Sequence, residues 1–181
     1  MQVLHAPDII DLTGKKTIFL AGPIRCARDW QGSLIKYISK MNDKRHEDLV
    51  IATPRRVQGH VPKKDFTYMM YEDQIKWETS HLSKAATSGF VTCFLANQLD
   101  DDPQQSYART TRFEIGEWFG LLQTRDDVHI ILGFEKQFSG LKYIITRIKM
   151  LLADNPEKAK QITVCGEGLD AFIRTIYKKT V

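Results

Sequence analysis

An α/β layer fold is what this sequence predicts, and three observations carry the prediction. Short apolar, β-branched runs alternate five times with longer segments of helical periodicity, the pattern of a parallel sheet sandwiched between helices. The chain has 181 residues, 43% hydrophobic and 27% charged, the size and composition of one globular domain with one core. Gly, Pro, Asn and Asp punctuate the joins, with no internal repeat and no low-complexity tract. Together these predict a single-domain, doubly wound sheet of the flavodoxin or Rossmann kind. Five parallel strands flanked by helices are expected over residues 17–181, with residues 1–16 as an N-terminal extension.

The elements follow in order. "KTIFLAGPI" reads as the first strand, apolar or β-branched from Thr17 to Leu20 and stopped by Gly22 and Pro23. "DWQGSLIKYISKM" spaces Trp30, Leu34, Ile38 and Met41 at helical intervals, with Asp29 placed to cap the start. "DLVIATP" is the second strand, closed by Pro54, and "RRVQGHVPKKDFTY" is a polar loop long enough to carry function. Helix resumes in "MMYEDQIKWETSHLSKAA", where Tyr71, Ile75, Leu82 and Ala85 share one arc. "GFVTCFLAN" is the third strand, and "QLDDDPQQSYA" is the most loop-like stretch of the chain and the expected rim of a site. The helix "TTRFEIGEWFGLLQ", the strand "VHIILGF", the helix "LKYIITRIKMLLA", the strand "QITVC" and the helix "GLDAFIRTIYKK" complete the alternation.

Charge and cysteine content exclude several classes. A net charge of +4 from 26 basic and 22 acidic residues is mild and mixed along the chain. The nearest approaches to a basic stripe are Arg55 with Arg56, Lys63 with Lys64, and Lys178 with Lys179. A small anionic ligand therefore fits better than a nucleic acid polymer. Cys26, Cys93 and Cys165 are odd in number and far apart, which fits a reducing compartment. No segment of about 18 apolar residues stands ready to span a bilayer, and "MQVLHAPDIIDLTGKK" lacks the apolar stretch of a secretion signal. A cytoplasmic protein with no membrane partner is expected.

In doubly wound folds ligands sit beyond the carboxyl ends of the strands, which selects "AGPIRCARD", "PRRVQGH" and "ANQLDDDPQQSYARTT". Thr111 and Glu114 in "TRFE" have capping-box spacing. On a wheel of about 100° per residue, Ile115, Trp118, Phe119 and Leu122 define the apolar arc, and Glu114 falls at its edge. The same helix start, with Arg109, Thr110, Thr111 and Arg112, supplies hydroxyls, guanidinium groups and free N–H groups, an anion-binding site in outline. Glu78 occupies a position that the apolar pattern of its own helix would give to a hydrophobe, and a buried acid needs a partner or a task. A structural salt bridge to one of the arginines is the alternative. Gly22, Pro23 and Ile24 form a turn that lets backbone approach a ligand, with Arg25 and Arg28 beside it. Asp29 is read as a helix cap or site residue, and Trp30 as core or site wall.

Other chemistries find no support. "CGEGLDA" begins like a dinucleotide fingerprint but lacks its third glycine and sets Glu167 where phosphate would lie. The five histidines show no metal-ligand spacing, Asp100 to Asp102 read as a solvated turn, and no G-x-S-x-G is present. Cys26 lies near the site without a base to activate it. No metal and no cofactor are expected.

The ordered set "FLAGPIRCARDWQ", "ATPRR", "QIKWETSHLSKAA" and "TTRFEIGEW" resembles the nucleoside 2-deoxyribosyltransferase superfamily, most of all the branch that includes N-glycosidases of pyrimidine nucleotides. The resemblance covers roughly residues 17–135 and rests on the order and spacing of the four motifs. It implies that Glu114 attacks the anomeric carbon of the sugar and that Glu78 holds the leaving base and manages its proton. It implies further that Arg25 and the Gly22 to Ile24 turn face the base, and that the protein is a homo-oligomer, a dimer or larger, with sites near subunit contacts. Two departures matter. The aspartate of the family's Ala-Asp pair is absent, with Ala86 in its place, and Ala108 stands where transferases often place an acid that holds the 5′-hydroxyl. Loss of that acid beside Arg109, Thr110, Thr111 and Arg112 points toward a 5′-phosphate.

The chemistry is reasonable physically. Breaking an N-glycosidic bond passes through an oxocarbenium-like state, so one carboxylate captures C1′ while an acid protonates the departing base. The expected function is thus N-glycosidic cleavage of a nucleoside or nucleoside 5′-monophosphate through a glycosyl-glutamate ester, with base exchange. A nucleotide N-glycosidase that hydrolyses the ester is the close alternative. A non-catalytic nucleotide-binding or sensing module is the alternative from another class.

Overall fold

A computed structural model describes residues 1–41, 44–56, 67–99 and 107–181. Most of the two loops expected to carry function, residues 57–66 and 100–106, lies outside the described residues, and with it Lys63, Lys64 and Asp100 to Asp102. The chain runs β1 (Gln2–His5), β2 (Lys16–Ala21), α1 (Trp30–Met41), β3 (Leu49–Thr53), α2 (Tyr68–Ser88), β4 (Phe90–Leu95), α3 (Arg109–Thr124), β5 (Ile130–Phe134), α4 (Leu141–Asp154), β6 (Ile162–Glu167) and α5 (Leu169–Thr180). All strand pairs are parallel, in the order β1-β3-β2-β4-β5-β6.

The doubly wound class is as the alternation predicts, with a correction in strand number. The sheet has six strands, and the added one lies within residues 1–16. β1 is only four residues long and binds at the sheet edge, Val3 opposite Ile51 and Leu4 opposite Ala52. Its evidence in sequence is one buried side chain, Leu4, too little for a period-two pattern to register. Without β1 the order matches the flavodoxin-like winding, in which the chain reverses direction across the sheet between β2 and β4.

Two cores sit on opposite faces. Ile18, Leu20, Leu49, Ile51 and Phe94 point toward α1 and α5, where Trp30, Leu34, Ile38, Phe172 and Ile176 cover them. Phe19, Ala21, Val50, Ala52, Val91, Cys93 and Leu95 point the other way, under Trp77, Leu82, Trp118, Leu122 and Ile148 from α2, α3 and α4. This is the strict alternation of side chains along strands covered on both faces. Each Leu or Ile so buried contributes roughly 1.5–3 kcal/mol. Among the described residues no helix is long and apolar enough to cross a membrane.

α1 begins where Asp29 predicts: the Gly32 amide donates to Asp29 Oδ1 over 2.9 Å, an N-cap bond that satisfies an otherwise unpaired helix N–H. α2 is capped by Thr67, whose hydroxyl accepts from the Met70 amide. α3 departs from expectation. Its cap is Ala108 in the left-handed conformation, φ 54°, with no side-chain capping bond. Thr111 therefore lies inside the first turn and is buried, and the Thr111–Glu114 capping box does not form. The chain enters α3 three residues earlier than the box requires, with Ala108 and not Thr111 at the cap, which frees the Glu114 carboxyl from the helix end.

Candidate active site

The carboxyl ends of β2, β3 and β4 open into a cleft of ≈ 560 Å³ at the reversal point of the winding. One wall is the turn after β2, from Gly22 to Cys26, and beside it lie Pro54, Arg55 and Arg56 after β3. α2 contributes Tyr71, Gln74, Ile75 and Glu78, and the segment from Tyr107 through the start of α3 contributes Arg109, Thr110, Thr111 and Glu114.

The β2 turn is held by long-range bonds. Gly22 has φ 139°, and a Cβ there would lie 2.6 Å from the Phe94 carbonyl oxygen and 2.9 Å from Trp30 Cζ2. Only glycine fits both the backbone angle and the space. Trp30 Nε1 donates to the Pro23 carbonyl over 2.9 Å. Gln31 ties the neighbouring strand ends together, donating to the Leu20 carbonyl and accepting from the Thr53 hydroxyl. On the other side the Tyr107 hydroxyl donates to the Ala96 carbonyl over 2.7 Å, stapling the entry to α3 onto the end of β4. Glu135 accepts from the Asn97 amide and from Arg28 Nη1, so the strand ends around the cleft are cross-braced.

Glu78 and Glu114 enter this one cleft from different helices. Glu114 also borders a small apolar hollow of ≈ 30 Å³ with Ala21, Cys93 and Trp118, so its carboxyl has hydrocarbon on one side and the cleft on the other. Burial first, then the charge of Glu78 and then that of Glu117, pushes its pKa up to about 7. Burial and then the Glu114 charge hold the neighbouring Cys93 thiol well above the usual thiol range, an inert core cysteine. Burial also raises Glu78, opposed by a hydrogen bond from Gln74 and by the charge of Arg56. Two acids coupled in this way titrate as a unit. Burial thus favours the protonated form of both acids, and the charge of Glu78 further opposes ionisation of Glu114, in a cleft that both carboxyls face.

Cations frame the mouth. Arg55 pairs with Asp29, while Arg25 and Arg109 are exposed and have no ion-pair partner among the described residues. Arg109 stands with Thr110 at the N-terminal end of α3, where unpaired N–H groups and the helix dipole favour an anion.

Of the residues singled out from sequence, Gly22, Pro23, Ile24, Arg25, Glu78, Arg109, Thr110, Thr111 and Glu114 come together here. Asp29, Trp30 and Arg112 do not line the cleft. Asp29 caps α1 and anchors Arg55. Trp30 is 1% exposed and braces the turn from behind. Arg112 turns away, donating to the Ser139 carbonyl and lying over the Phe138 ring. Tyr71 and Ile75, which share an arc with the buried Leu82 and Ala85, are half exposed and form the apolar wall of the cleft. Gln98 and Tyr107 line the cleft from within the segment selected by the winding rule, whereas Gln74 is a cleft residue outside every selected segment. For Gln74 a signal existed, since it precedes Glu78 by one helical turn. No protein-family model matches the chain, and no curated protein matches it.

Proposed function

We propose that the protein cleaves the N-glycosidic bond of a nucleoside 5′-monophosphate, or of the corresponding nucleoside, through a glycosyl ester on Glu114. The observation that carries this reading is the pair of acids from two helices converging on one cleft, both raised by burial and Glu114 raised further by the charge of Glu78. The order of motifs that resembles the nucleoside 2-deoxyribosyltransferase superfamily supports it.

In this reading the proton resides on Glu78 in the reactive state and the negative charge on Glu114. Positive charge developing at C1′ favours the anion on Glu114, and a nucleobase beside Glu78 receives the proton. The C1′–N bond breaks, its electrons leaving with the base, and a C1′–O bond to Glu114 forms. Attack on the ester by a second base, its proton passing back to Glu78, completes base exchange. Attack by water, with Glu78 now the base, completes hydrolysis. The apolar wall of Tyr71 and Ile75 suits the face of a planar base, and Arg25 with Arg109 and the start of α3 suits a phosphate.

Chromatography of a panel of nucleosides and 5′-monophosphates, incubated with the protein with and without an acceptor base, tests the proposal. Base release that vanishes in Glu114→Ala is the expected result. Release that needs the acceptor identifies exchange, and release without it identifies hydrolysis. Ligand binding with no release from any substrate would instead support a nucleotide-binding module.

A further inference from the structure

Gln74 stands one turn before Glu78 on α2 and donates two hydrogen bonds from the same amide nitrogen. Nε2 lies 3.1 Å from the Pro54 carbonyl oxygen and 2.7 Å from Glu78 Oε1. The Pro54 carbonyl can only accept and does not titrate. Turning the amide over would set Gln74 Oε1 against that carbonyl, so the orientation is locked whatever the state of Glu78. The lock is imposed at a cost: Gln74 Oε1 is buried and has no hydrogen-bond partner among the described residues, a state that proteins ordinarily avoid.

We infer that Gln74 is a positioning residue that confines the exchangeable proton of Glu78 to Oε2. Because the locked amide offers Oε1 only a donor, a proton on Oε1 would face an N–H, whereas a proton on Oε2 keeps the bond intact. The carboxyl is thereby held in one orientation through both protonation states, and its anion is stabilised against the burial that opposes it. The catalytic consequence rests on the reading of Glu78 as the proton donor to the base, but the effect on its titration does not. Among the described residues the other ionisable groups at this cleft are Glu114 from α3, Arg55 and Arg56 after β3, Arg25 and Cys26 from the turn after β2, Tyr107 and Arg109 at the entry to α3, and Tyr71 on α2 itself.

The test needs no turnover. In full-length protein carrying ¹³C at the glutamate carboxyls, the Glu78 resonance is identified by its loss in Glu78→Gln and followed from about pH 4 to about pH 9, a range that spans ordinary and raised carboxyl values. Gln74→Met keeps the length of the side chain and removes the donor, and Gln74→Glu replaces the donor by a second acid. The expected order of midpoints is wild type, then Gln74→Met about one pH unit higher, then Gln74→Glu higher still. A midpoint in folded Gln74→Met equal to or below that of wild type would overturn the inference. Should Gln74→Met not fold, as judged by circular dichroism, a Glu78 midpoint in Gln74→Glu no higher than wild type would overturn it as well. A rise in midpoint with no base release from any substrate leaves Gln74 in place and removes the proposed reaction; base release with an unmoved midpoint does the reverse.

Discussion

Replacing Glu114 by glutamine is expected to make the protein more stable, and only above a defined pH. The carboxyl makes no hydrogen bond among the described residues, so the amide leaves no partner unpaired in that part of the structure. Its pKa is about 7 in the fold against an ordinary 4.5. A group whose folded pKa is raised contributes stability that is complete below the unfolded value and is lost as pH rises through the folded value. Each pH unit between the two is worth about 1.4 kcal/mol, which accumulates to about 3 kcal/mol by pH 8. Urea unfolding of wild type and Glu114→Gln at about pH 4, pH 6 and pH 8 measures this as the gap between the two free energies. The gap in favour of the variant should be near its minimum at the lowest pH, intermediate at pH 6 and widest at pH 8. A gap that stays constant across the range would refute the claim that this carboxyl is desolvated and coupled.

Three further outcomes follow from the same geometry. The pH profile of kcat/KM for base release should be bell-shaped, falling on the alkaline side as the pair loses its last proton and at acid pH as both carboxyls protonate; activity that climbs steadily to about pH 9 would contradict the assignment. Arg109→Ala should raise KM for a 5′-monophosphate by about tenfold, in line with loss of one charge-assisted bond, and leave KM for the nucleoside nearly unchanged, as steady-state kinetics on both substrates will report. Gly22→Ala should destabilise the fold by roughly 2–4 kcal/mol in thermal or urea unfolding, because the added methyl meets the Phe94 carbonyl oxygen at 2.6 Å at a positive φ.

What could be read from sequence divides along physical lines. The helices and central strands were legible because their apolar residues recur at the period of the element: Trp30, Leu34 and Ile38 are all buried where the spacing places them. β1 was not, since four residues bonded on one side derive their order from β3 and not from their own pattern. The entry to α3 was misplaced because Ala108 adopts a left-handed angle that alanine does not advertise. Tyr71 and Ile75 show a deeper limit: apolar periodicity marks a face shielded from polar groups, and the wall of a cleft satisfies that as well as a core does. Glu78 and Glu114 stood out as acids on apolar arcs, and the structure brings both to one cleft. The Pro54 to Gln74 bond joins residues 20 apart across a loop, and nothing local in either segment announces it.

The covalent ester on Glu114 is the central claim, and rapid acid quench of the protein with a substrate that releases its base, followed by peptide mass spectrometry, tests it most directly. The account predicts a glycosyl adduct on the peptide that carries Glu114, retained in acid, absent without substrate and absent in Glu114→Gln. Base release in wild type with no adduct on that peptide, and with release persisting in Glu114→Gln, would contradict it.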